Sequence, residues 1–65
     1  MQIKVNGLAR EVAEGATIRS LLAESNLTPE KVAIELNRRL ARANQYDVAL
    51  KDGDEVEIVT FVGGG

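Results

Sequence analysis

Asp54-Glu55-Val56-Glu57-Ile58-Val59-Thr60-Phe61-Val62-Gly63-Gly64-Gly65 closes the chain. From Glu55 to Val62 the side chains alternate with the period of two that a strand requires, after an Asp52-Gly53 turn signal. Val56, Ile58, Thr60 and Val62 project to one side, and Glu55, Glu57, Val59 and Phe61 to the other. With Val56 and Ile58 assigned to the core, Val59 and Phe61 stand on the outer face. The strand runs into three glycines and a free carboxylate with no polar linker between. Placed beside the first strand, it occupies the centre of a sheet, and its end fixes where the tail emerges.

Working outward, Met1 to Val5 alternates in the same way, and Asn6-Gly7 follows. Both central residues of a type I′ turn need positive φ, which Asn and Gly tolerate, so Leu8 to Val12 returns as a partner strand. A strict two-residue turn sets Arg10 opposite Ile3, and for that reason a loop one or two residues longer is expected. Gly15-Ala16-Thr17 then precedes the one good helical pattern. Thr17 is its cap, Ile18, Leu21, Leu22 and Ser25 form its buried face, and Asn26 with Leu27 makes a Schellman-type stop. A helix of two to three turns is marginal alone in water and must lie on a sheet.

Thr28-Pro29-Glu30 reads as a capped, proline-started turn. Val32 to Leu36 alternates with Val32, Ile34 and Leu36 inward, Asn37-Arg38 is a turn, and Arg39 to Ala41 a short edge strand. Between Arg42 and Leu50 the pattern is poor. Tyr46, Val48 and Leu50 are spaced to plug the open end of the core from an irregular or single-turn segment. The sum is ββαββ: an α+β fold with four to five strands in a mixed sheet against one helix. Residues 1–62 form a single domain, and 63–65 a flexible C-terminal glycine tail.

Composition removes most chemistry. The 65 residues contain no cysteine and no histidine, so a thiolate nucleophile, a histidine-based general base and a Cys/His zinc site are all absent. The densest acidic cluster, Asp52 to Glu55, lacks the length and the terminal Glu of a calcium loop, and no metal is expected. A net charge of −2 argues against nucleic acid. Arg38, Arg39 and Arg42 make a basic cluster suited to a solvated turn or an acidic partner. No apolar run approaches the ~20 residues of a membrane span. A soluble, cytoplasmic chain, monomeric when free, is the expectation.

What is left is the C-terminal carboxylate. With a pKa of ~3.3–3.7 it is ionised at neutral pH and is a poor electrophile. The direct route to activation is attack on the α-phosphate of ATP, giving an acyl-adenylate. Glycines suit a tail that threads a narrow cleft, since they lack Cβ and take any backbone angle. Val59, Phe61, Val62 and Gly63 are the expected partner contacts, with Phe61 as anchor.

The element order, the Asn6-Gly7 hairpin, Gly15-Ala16-Thr17 before Leu21-Leu22, Val32 to Asn37, Asp52 to Val59 and the closing glycines together resemble the ThiS family. Its members are β-grasp, ubiquitin-like sulfur carriers of thiamine biosynthesis. The resemblance covers the whole chain and is least good from Arg38 to Gln45. It implies that the Gly65 carboxylate is adenylated by a ThiF-type enzyme, which consumes ATP, and is then converted to a thiocarboxylate. The sulfur comes ultimately from cysteine, through a system such as a cysteine desulfurase, and passes to thiazole synthase for the thiazole ring. Gly64 and Gly65 match the family's functional motif. The chain is then a protein substrate with no bound cofactor, not an enzyme. A molybdopterin-type sulfur carrier and a ubiquitin-like modifier share the tail and its activation. A plain β-grasp binding module with an idle tail is the alternative of another class.

Overall fold

In the computed structural model, which describes residues 1–61, the strands β1 (Gln2–Val5), β2 (Leu8–Glu11), β3 (Val32–Leu36), β4 (Arg39–Leu40) and β5 (Glu55–Thr60) form one sheet in the order β2-β1-β5-β3-β4. Helix α1 (Ile18–Glu24) covers one face. β5 pairs parallel with β1 and antiparallel with β3, so the last strand is central, as its placement beside the first strand implied.

Asn6 and Gly7 take φ of 51° and 83°, the positive pair of a type I′ turn. The loop is therefore the strict two-residue turn, and the expectation of a longer one is corrected: Val5 faces Leu8 and Ile3 faces Arg10. The pairing is tolerated because β2 is an edge strand. Arg10 lies half-buried over the rim of the core and carries its guanidinium out to the Glu24 carboxylate on α1.

α1 begins at a capping box. The Ser20 amide donates to Thr17 Oγ1 at 3.0 Å, and the Thr17 amide donates to Ser20 Oγ at 2.9 Å. It ends as the sequence implies. Asn26 sits at φ 58°, the Leu27 amide donates to the Leu22 carbonyl at 2.9 Å, and the Asn26 amide to that of Ala23 at 3.1 Å. Ile18, Leu21 and Leu22 are buried, whereas Ser25, read as part of that face, is exposed at the C-cap. A polar C-cap keeps access to water, and Leu27 takes the inward position instead. Thr28 precedes the 3-10 turn Pro29–Lys31 but makes no side-chain cap bond. Only its carbonyl is used, accepting from the Lys31 amide at 3.0 Å.

Ile3, Val32, Ile34 and Val56 from the sheet meet Ile18, Leu21 and Leu22 from the helix. Ala41, Tyr46 and Leu50 close the open end, with Tyr46 following a 3-10 turn at Ala43–Gln45. Val48, also assigned to that plug, is 59% exposed. The segment is not a strand, so spacing by two does not hold its side chains on one face. The Leu50 amide bonds to the Ala16 carbonyl at 2.8 Å, and Arg19 donates to Asp47 Oδ1 at 2.6 Å, which ties this segment to the start of α1. That hydrogen bond, with the charge of Asp47, raises the Arg19 pKa above its ordinary value.

Candidate functional site

Register defines a second face of the sheet, the one α1 does not cover. Val59 lies opposite Ala33, Glu57 opposite Glu35, and Glu35 in turn opposite Leu40. Because Val56, Ile34 and Val32 point into the core, this set points to solvent. Val59 is 59% exposed and Phe61, next on the same alternation, 65% exposed. Both stand where the sequence placed them.

Leu40 is a third member that sequence reasoning missed, 61% exposed on β4. The signal was present. A two-residue turn at Asn37-Arg38 places Leu40 opposite Glu35, on the side away from Ile34 and Leu36. The outer face thus carries an apolar band, Leu40, Ala33, Val59 and Phe61, bordered by Glu35 and Glu57. Those two residues face each other directly in register, and like charges so placed destabilise a free sheet.

β5 is held firmly up to its end. The Asn6 side-chain oxygen accepts from the Ile58 amide at 2.7 Å, finishing the β1 side of the ladder. On the β3 side Thr60 pairs with Val32, and the Phe61 amide donates to the Lys31 carbonyl at 2.9 Å. The chain is therefore fixed through Phe61. Val62, Gly63, Gly64 and Gly65, expected to carry contacts, threading and chemistry, lie outside the described residues.

The acidic cluster has structural work. Asp52 Oδ1 accepts from the Gln2 amide at 2.7 Å, Asp54 Oδ2 from the Lys51 amide at 2.8 Å, and Asp54 Oδ1 from Asn37 Nδ2 at 3.0 Å. These bonds dock the Asp52-Gly53 turn against β1 and the Asn37-Arg38 turn. Among the described residues no group of three or more His, Cys, Asp or Glu side chains is arranged to hold a metal. No helix among them is long and apolar enough to cross a membrane.

A five-stranded mixed sheet with β5 between a parallel β1 and an antiparallel β3, crossed on one face by one helix, is a β-grasp, ubiquitin-like fold. The ThiS family model matches residues 3–65, and the chain belongs to the ThiS family. The crystal structure of a thiamine biosynthesis protein (ThiS) from Geobacter metallireducens superposes with a TM-score of 0.78 at 36% identity, over the whole of both chains. The sulfur carrier protein ThiS of Bacillus subtilis is 44% identical over 50 residues, covering 75% of this chain and 76% of that protein. A thiazole synthase of Paramagnetospirillum magneticum is 39% identical over 66 residues, all of this chain but only 20% of the length of that protein. The resemblance drawn from the residues and the fold it implied are both borne out.

Proposed function

We propose that this chain is a sulfur carrier for assembly of the thiazole moiety of thiamine, with the Gly65 carboxylate as its working group. The carrying observation is the family match through residues 3–65, which takes in the closing glycines. In the first step a carboxylate oxygen attacks the α-phosphorus of ATP on a ThiF-type adenylating enzyme, and pyrophosphate leaves. A persulfide sulfur then attacks the glycyl carbonyl and AMP leaves, after which a thiol cleaves the resulting acyl disulfide, so that a thiocarboxylate and a disulfide remain. The sulfur is drawn from cysteine by a system such as a cysteine desulfurase. The carrier binds no cofactor of its own, ATP being consumed by the enzyme, and it works in the cytoplasm as a protein substrate.

Thiazole synthase is the proposed acceptor. The likeness of this whole chain to a fifth of a thiazole synthase supports the pairing, since there a carrier-like segment and the synthase share one polypeptide. The outer band of Leu40, Val59 and Phe61 gives these partners a body to grip, with Val62 and Gly63 as the next contacts. Ordering each free glycine of the tail costs ~1–2 kcal/mol, which docking of the folded part offsets. Gly64 threads the cleft without a Cβ to meet its wall.

Incubating the chain with ATP, the adenylating enzyme and a sulfur source, followed by intact mass measurement, tests the proposal. The expected product has one oxygen exchanged for sulfur. Removal of Gly64-Gly65 abolishes it while leaving the fold intact. A chain that stays unmodified, or that is recovered joined to lysine of another protein, refutes the carrier assignment.

A further inference from the structure

Two hairpin turns, one after β1 and one after β3, share positive φ at both central residues, and their second residues, Gly7 and Arg38, border one cleft. Asn6-Gly7 has φ of 51° and 83°, and Asn37-Arg38 has 53° and 71°. Glycine occupies the second position of such a turn freely, whereas a residue with a Cβ is strained there. Nothing within the described residues compensates Arg38. It is exposed, and it enters none of the ion pairs they form, which join Met1 to Glu11, Arg10 to Glu24 and Arg19 to Asp47. A strained residue with no internal partner points to a contact outside the molecule.

Its position identifies that contact. Arg38 borders a shallow cleft of about 330 Å³ with Lys4, Gly7, Glu55, Val56 and Glu57. Lys4 faces Glu55 across the β1-β5 pairing, and Arg38 stands on the β3-β4 turn at the rim of a face that otherwise carries Glu35 and Glu57. The cleft lies at the Glu55 end of β5, while Val59 and Phe61 lie at the other. At about 3.3 Å per residue the two are ~13–20 Å apart, a span that one docked protein covers. A partner that meets Glu35 and Glu57 with cations and Arg38 with a carboxylate is held in one register, because sliding or turning it over brings like charges together.

Resting on the carrier reading, we propose that Arg38 pairs with an acidic side chain of the adenylating enzyme. It is a second anchor, remote from the tail, that fixes where the body docks and hence where Gly65 is delivered. The band at Val59 and Phe61 supplies apolar area, and Arg38 supplies register.

The test compares the full chain with Arg38→Gly, Arg38→Asn and Arg38→Lys, measuring melting temperature and, over a range of salt concentrations, binding to the ThiF-type enzyme. Glycine is tolerated in the matching turn at Gly7, so R38G folds and melts a few degrees higher as the strain is relieved. Its affinity for the enzyme falls by about fivefold, mainly through slower association, and depends less steeply on salt. R38N behaves likewise in binding, and R38K retains the salt dependence of the parent chain. If R38G and R38N bind with unchanged affinity and salt dependence while Phe61→Ala weakens binding and the parent chain is adenylated, the Arg38 inference is overturned and the carrier reading stands. If the parent chain neither binds nor is adenylated, both fall.

Discussion

Truncating Phe61 to alanine leaves the fold in place and weakens docking. Fully burying a phenylalanine side chain is worth roughly 1.5–3 kcal/mol. With 65% of it in solvent, a partner that covers the rest gains roughly 1–2 kcal/mol. Removing the ring therefore raises Kd about 5- to 30-fold, since each 1.4 kcal/mol is a factor of ten. The third already covered contributes no more than about 1 kcal/mol to the free chain, within the range of an ordinary surface change. Val59, exposed to a similar degree but smaller, gives a lesser effect as Val59→Ala. Titration calorimetry of each variant against the adenylating enzyme measures the affinity, and urea denaturation of the free chain shows that the fold is retained. A Phe61→Ala chain of parental stability whose Kd lies within twofold of the parent value refutes the outer face as the docking surface.

Asn37→Ala forfeits two side-chain bonds, to Asp54 Oδ1 at 3.0 Å and from the Glu55 amide at 2.9 Å, and leaves alanine at positive φ. A loss of about 2–3 kcal/mol in urea denaturation is expected. Thr17→Ala removes the oxygen that accepts from Ser20, costing about 1 kcal/mol and lowering Tm by about 4–8 °C. Ile34→Ala at the centre of β3, fully buried, costs about 2–5 kcal/mol, enough to unfold a domain this small in circular dichroism. The raised Arg19 pKa predicts no pH dependence near neutrality. The pair with Asp47 contributes fully below the unfolded-state pKa of arginine and is lost only as pH rises through the higher folded value, so Arg19→Gln leaves the shape of the stability curve between about pH 5 and pH 9 unchanged.

The regular parts of the fold were legible because each carried its own local instruction. Period-two alternation located β1, β3 and β5, and turn chemistry at Asn6-Gly7 and Asp52-Gly53 separated them. The cap at Thr17 and the stop at Asn26-Leu27 bounded the helix. Legibility failed where a side chain has two ends. Arg10 opposite Ile3 looked like a register conflict, yet its aliphatic stem lies over the core rim while its guanidinium reaches Glu24. Val48 failed for the opposite reason, since spacing by two has no meaning off a strand. In the candidate site, Val59 and Phe61 followed from alternation, but Leu40 required the register across β3 and β4. The strain at Arg38 needed backbone angles that no residue pattern displays.

The adjacent, parallel placement of β1 and β5 has a mechanical consequence. Their cross-links include the Lys4 amide to the Asp54 carbonyl at 2.9 Å and the Asn6 amide to the Val56 carbonyl at 2.8 Å. A pull on the C-terminal end of β5, resisted at the N-terminal end of β1, runs along both strands in opposite directions and loads these bonds simultaneously. Rupture then needs a concerted slip, whereas a hairpin pulled at its ends unzips one link at a time. Force applied along β5 thus meets the whole β1-β5 pairing at once, so the two strands resist as a unit.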